Sequence, residues 1–203
     1  MSKITDSLPA TIIAGIILTI LMVFAAQATI GASLGGWQGA PDHASSYTAF
    51  IVRWLHVISG VMWIGLLWYF NFVQIPTMPK IPDEHKPGVS KHIAPEALFW
   101  FRWGAMATLI TGLLLAILSN YLVDALALKL GIGYGMWFAM IMWFNVWFII
   151  WPAQKIALGL VDAPADQKPK AAARAKMFSR INTMLSIPML YAMVGQSSNG
   201  FSM

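Results

Sequence analysis

Arg53-Trp54-Leu55-His56-Val57-Ile58-Ser59-Gly60-Val61-Met62-Trp63-Ile64-Gly65 is the stretch on which the fold turns. It lies near the start of an apolar run from about residue 49 to 75. A run of that length exceeds the ~20 apolar residues that a helix needs to cross the core of a bilayer. It nevertheless carries an arginine and a histidine. A polar group at membrane depth is costly unless something partners it, which makes His56 a candidate functional residue. Gly60 and Gly65 remove side chains from the same helix, so either a neighbouring helix or a flat cofactor can approach its backbone.

The rest of the chain has the same character. Of 203 residues, 58% are hydrophobic and only 10% are charged, against ~25% charged in soluble domains. Mean hydropathy is +0.66. These values predict an all-α integral membrane helical bundle with no large soluble domain. The sequence contains no cysteine. That excludes disulfides, iron–sulfur clusters, thiolate metal sites and the thioether attachment of haem c within these residues. Any haem here is non-covalent and held by His or Met. The net charge of +5 is read as a topology signal, with membrane lipids rather than nucleic acid as the partner.

Outward from the opening stretch, the pattern predicts about five transmembrane helices in a single domain, at about 9–33, 48–75, 97–118, 136–152 and 171–195. The first has a cleaved signal peptide as its rival reading, on the small-x-small form of Ala26-Gln27-Ala28. Pro76, Pro79, Pro82 and Pro87 are expected to break the helix after residue 75. Pro95-Glu96 reads as the start of the third helix. Residues 119–135 read as a short interfacial helix and a turn, because Gly131, Gly133 and Gly135 are poor helix formers. The apolar part of the last helix, 181–194, is too short to span unless joined to the turns before it. Pro188 is expected to kink it.

Lysine and arginine set the orientation. Eleven of them fall on one side and two, Arg53 and Lys129, on the other. The positive-inside rule then puts the N-terminus in the cytoplasm. On this topology His56 enters from the outside, about two turns deep, roughly 10 Å at the helical rise.

A haem b needs an axial ligand at that depth, and His56 is the candidate cofactor and metal ligand, with Arg53 and Gly60 beside it. Arg53 can meet a propionate or simply snorkel to lipid phosphate. The rival reading of His56 is a neutral histidine bonded to a backbone carbonyl or a neighbouring side chain. His92 and His85 fall on the opposite side, and His43 reaches only if the first outer loop folds inward. Met136, Met140, Met189 and Met193 lie in the right half for a second ligand. A second polar set, Asn71, Gln74, Arg102, Asn145, Asn182 and Ser186, lies toward the cytoplasmic half. It reads as interhelical hydrogen bonding, or else as a small-molecule pocket with Arg102, Asn145 and Asn182 as substrate-binding residues. No soluble-enzyme motif occurs, and the acids lie in loops, tails or, for Glu96, at a helix head.

Four blocks carry a family resemblance: Arg53 to Gly65, Glu96-Ala97-Leu98-Phe99-Trp100-Phe101-Arg102-Trp103-Gly104, Met142 to Pro152, and Ser179 to Leu190. In this order they resemble the urate oxidase N-terminal domain family, the membrane segment of bacterial membrane-anchored urate hydroxylases. The resemblance implies a helical bundle in a bacterial inner membrane, urate hydroxylation, and coupling to a C-terminal c-type cytochrome. This chain has no cysteine for such a cytochrome, so no haem c is expected in it.

Three functions are carried forward. One is a redox-linked or accessory subunit of a larger membrane assembly, binding haem b through His56. The second is a non-enzymatic structural subunit or homo-oligomer. The third is a binding or transport protein for a purine-like molecule. Whether the chain is itself an oxidoreductase is left open by its residues.

Overall fold

The computed structural model describes residues 43–197, together with 10, 13, 14, 16, 17, 20, 21 and 24. The helix expected over 9–33 lies outside these except at the scattered positions just given. The chain forms two compact units, Met1–Ile51 and Val52–Met203. The site lies in the second.

Five helices organise the described chain, and no strand occurs among the described residues. Helix α1 starts as His43–Trp68 and continues through a wide turn, Tyr69–Gln74, to Lys80. Helix α2 covers Lys86–Leu118, α3 is the short Leu122–Leu126, α4 covers Gly131–Ala157, and α5 is Gln167–Ser197. Tyr47–Lys80, Lys86–Leu118 and Gly131–Ala157 are long and apolar enough to cross a membrane. Only 22–33% of their apolar windows is buried inside the molecule. Most of that surface therefore faces outward, where a lipid solvent suits it and water does not. Helix α5 is long but does not meet the same measure of apolarity, because Lys168, Lys170, Arg174, Lys176 and Arg180 occupy its first half.

The prolines behave differently from expectation. Helix α1 runs through Pro76 and Pro79, and α2 starts nine residues ahead of Pro95 rather than at it. Each time, a π-type turn precedes the proline: Tyr69–Gln74 before Pro76, Val89–Ile93 before Pro95, and Asn145–Ile150 before Pro152. The N–H groups of Ile75, Ala94 and Trp151 bond five residues back, to Phe70, Val89 and Val146. A proline ring strikes the carbonyl four residues before it and cannot donate a hydrogen bond. Widening the turn moves that carbonyl aside, so the helix continues. The chain breaks instead at Ile81, which is extended (φ −82°, ψ 129°) because it precedes Pro82.

Three helix ends share one device. Asn120, Leu128 and Gly159 all have left-handed backbone, at φ 56°, 57° and 71°. In each the following N–H reaches back to a free carbonyl: Tyr121 to Ala116, Lys129 to Asp124, and Leu160 to Lys155. This is the Schellman arrangement, easy for Gly and Asn and strained for Leu.

Helix α4 begins at Gly131, five residues before its expected start. Its glycines are contact points rather than a turn. A methyl group at Gly133 would strike the Ala125 carbonyl of α3, and one at Gly135 would lie 2.8 Å from the Ala192 methyl of α5. Tight approach outweighs the poor helix propensity of glycine here.

The main core joins α1, α2, α4 and α5 through Trp63, Leu67, Phe101, Met142, Ala175 and Met189. Phe70 meets Phe101 edge to face at 5.7 Å. A smaller cluster of Ala116, Ala125, Ile132 and Met136 holds the α2–α3–α4 corner.

Candidate functional site

Two polar constellations lie inside the helices, and they differ in what is left unpaired. The first is a seam along α5. Ser179, Asn182 and Ser186, spaced three and four apart, fall on one helical face, and all are buried. Asn182 is fully enclosed. It accepts from the Asn145 amide of α4 at 2.8 Å and donates to the Met142 carbonyl at 2.9 Å. The Trp68 indole donates to Ser186 at 3.0 Å. The Asn71 amide donates to Ser179 at 2.7 Å and to the Leu67 carbonyl at 2.9 Å. Asn71 and Asn145 both sit in π turns. The sequence pointed to Asn71, Asn145, Asn182 and Ser186; it did not reveal Trp68 and Ser179 as their partners, although the 179/182/186 spacing was there to be read.

Arg102 does not join this seam. Its guanidinium lies 3.4 Å from the centre of the Trp151 ring and 5.9 Å from that of Trp147, and its Nε donates to the Leu98 carbonyl at 3.2 Å. The indole stripe on α4 therefore receives a cation. Nothing described links Arg102 to Asn145 or Asn182. The two asparagine side chains bond to each other, which favours interhelical bonding over a shared substrate pocket.

The second constellation surrounds His56, where α1 meets α2. Nδ1 lies 3.0 Å from the Thr108 carbonyl and 3.2 Å from Thr111 Oγ1. A carbonyl only accepts. The Thr111 hydroxyl donates its own proton to the Ala107 carbonyl at 2.6 Å, so it too accepts from the ring. Both partners thus require the proton on Nδ1, which leaves Nε2 with a free lone pair. No described residue bonds to Nε2.

Gly112 of α2 makes the close contact possible, because a methyl group there would lie 2.8 Å from His56 Cε1. Gly60 behaves differently from the expected contact point: a methyl group at it or at Gly65 would meet nothing within 4 Å. One turn beyond Gly60, Trp63 is buried with its indole N–H unpartnered. His56, Gly60 and Trp63 share one helical face, at spacings of four and three.

Arg53 is exposed. Its charge opposes the effect of burial on Tyr121, at the α2–α3 corner, which pushes that phenol up. His92 is exposed, and His85 lies beside Glu84 in the loop. No group of three or more His, Cys, Asp or Glu side chains capable of holding a metal occurs among the described residues. Met136 and Met189 are packed in the two cores.

The architecture is that of a helical protein with three helices suited to crossing a membrane. Residues 130–203 match the family model described as urate oxidase N-terminal. The match takes in α4, α5 and the Asn145–Asn182 pair. It includes the Met142–Pro152 and Ser179–Leu190 blocks but neither His56 nor the Arg102 block. No curated protein and no solved structure matches the chain.

Proposed function

We propose that this chain is a multi-pass subunit of a redox-linked assembly in a bacterial inner membrane. In this reading it crosses the bilayer five times with its N-terminus in the cytoplasm, and it holds haem b through His56 Nε2. The observation that carries the reading is the fixed His56 tautomer. An imidazole anchored through Nδ1–H to a backbone carbonyl, with Nε2 free, is the arrangement that orients a histidine for a metal.

The surroundings would fit a group held by His56 alone. The space over Gly60 leaves room beside the imidazole. Arg53 places a positive charge one turn from His56. Haem b, when bound, supplies one-electron chemistry. The protein residues would orient the imidazole and leave room for a flat group beside it.

An optical spectrum of the protein purified from its native membrane, oxidised and then reduced with dithionite, tests this reading. The expected result is a Soret band, a reduced α band and one iron per chain. A preparation with neither a Soret band nor iron ends it.

The homo-oligomer or structural subunit is kept as a second reading. The open Gly60 and Gly65 positions support it, since small residues are where membrane helices pack closely. Cross-linking in native membranes separates the two, because a structural subunit gives a defined adduct without a haem spectrum.

A further inference from the structure

Where the C-terminal end of α4 meets the N-terminal end of α5, the two helices leave a groove of about 620 Å³. Its floor is made by the small, buried Ala153 and Ala171, which bring the helices close without filling the space between them. Phe148 of α4 and Phe178 of α5 form its apolar walls, and Lys170 and Arg174 stand at its polar end.

The groove has a direction. Arg174 lies one helical turn before Phe178, and Lys170 one turn before Arg174. Charge therefore gives way to aromatic surface toward the interior of the span. Phe148 is 58% exposed, so the wall opens onto the outward-facing apolar surface of α4. Lys170 is paired with Asp166 at 3.1 Å. Arg174 has no ion-pair partner among the described residues. Lys168, Lys176 and Arg180 extend the positive charge along the same helix.

We propose that this groove binds an anionic glycerophospholipid, its phosphate on Arg174 and Lys170 and one acyl chain along Phe148 and Phe178. Charge complementarity selects the anionic headgroup. The exposed aromatic wall leading into the span selects a lipid over a free phosphate ion. Basic pockets between helices at a membrane surface have this use. Each Lys or Arg near an anionic surface contributes about fivefold in affinity.

The test is native mass spectrometry of the intact chain in mild detergent, titrated with phosphatidylglycerol or phosphatidylcholine of the same acyl length. The wild-type protein is expected to retain phosphatidylglycerol about 25-fold better, about fivefold from each of the two cations. Lys170→Gln with Arg174→Gln removes that preference, whereas Lys91→Gln, at the start of α2, keeps it. All three positions are at the surface, and circular dichroism checks that each variant is folded. Millimolar inorganic phosphate is expected to leave phosphatidylglycerol bound. Equal retention of the two lipids by the wild-type protein overturns the proposal. So does an unchanged preference in the double variant. Displacement of the lipid by phosphate assigns the site to a free anion and overturns the lipid assignment.

Discussion

The α4–α5 seam and the His56 pocket place similar polar groups in similar apolar surroundings, yet the seam uses most of its bonding capacity within the protein, the enclosed Asn71 Oδ1 excepted, while His56 keeps a ring nitrogen free. Along the seam, Asn145, Asn182, Ser186, Trp68 and Asn71 donate to one another, to Ser179 Oγ or to backbone carbonyls. At His56, one ring nitrogen is fixed by Thr108 and Thr111 while the other has no described partner. A polar residue whose bonding capacity is met by neighbouring helices is adhesive. One that is oriented by its neighbours and then left with a lone pair is arranged for something else. The presence of a polar residue in a membrane helix does not separate these cases, and one unmet lone pair does not either, since Asn71 Oδ1 is also unpartnered. What sets His56 apart is that its unmet atom is an imidazole nitrogen, a metal ligand, and not an amide oxygen.

The contrast predicts that damage to the seam shows in stability and damage to the pocket shows in ligand. The largest stability effect is expected from Asn182→Ala. It removes two buried bonds, leaves the Asn145 side-chain amide without its partner, and opens a cavity, while the Met142 carbonyl keeps its backbone bond from the Asn145 N–H. Thermal unfolding in mild detergent should register a loss of about 2–3 kcal/mol. Gly133→Ala should follow at about 1–3 kcal/mol, because the new methyl meets the Ala125 backbone rather than a side chain that can rotate away. Leu128→Asn relieves left-handed strain at an exposed position and should stabilise by about 1 kcal/mol. Trp68→Phe removes the donor to Ser186, a bond averaging ~0.6 kcal/mol within a membrane, and trims a half-buried ring packed on the core, so it should destabilise by about 1 kcal/mol. An Asn182→Ala protein as stable as Trp68→Phe would erase the distinction drawn for the seam.

Much of the fold was legible because the chain is so apolar. Long runs without charge announce helices whatever they pack against, and polar side chains within them announce where helices meet. The boundaries were less legible. Pro76 and Pro95 looked like a stop and a start, but the adjoining π turns absorb both, and nothing in the residues themselves signals a widened turn. Gly131, Gly133 and Gly135 looked like a turn because propensity is a local property. Their role depends on Ala125 and Ala192, which only the folded chain brings near. Asn120 and Gly159 mark helix ends through residue type; Leu128 makes the same end with a side chain that gives no hint of it.

At the site, His56 stood out by its depth. Its partners did not, because a backbone carbonyl such as that of Thr108 has no sequence signature. Gly60 read as a place of close approach, and in the structure it borders open space. Gly112 performs the close approach instead, on the facing helix.

Haem content per folded chain, measured side by side for His56→Ala and Asn182→Ala, bears most directly on the contrast. His56→Ala is expected to fold with a wild-type helical spectrum and to carry no haem. Asn182→Ala should unfold at lower temperature while its folded fraction keeps one haem per chain. A folded His56→Ala protein with undiminished haem would mean that His56 does not hold the haem.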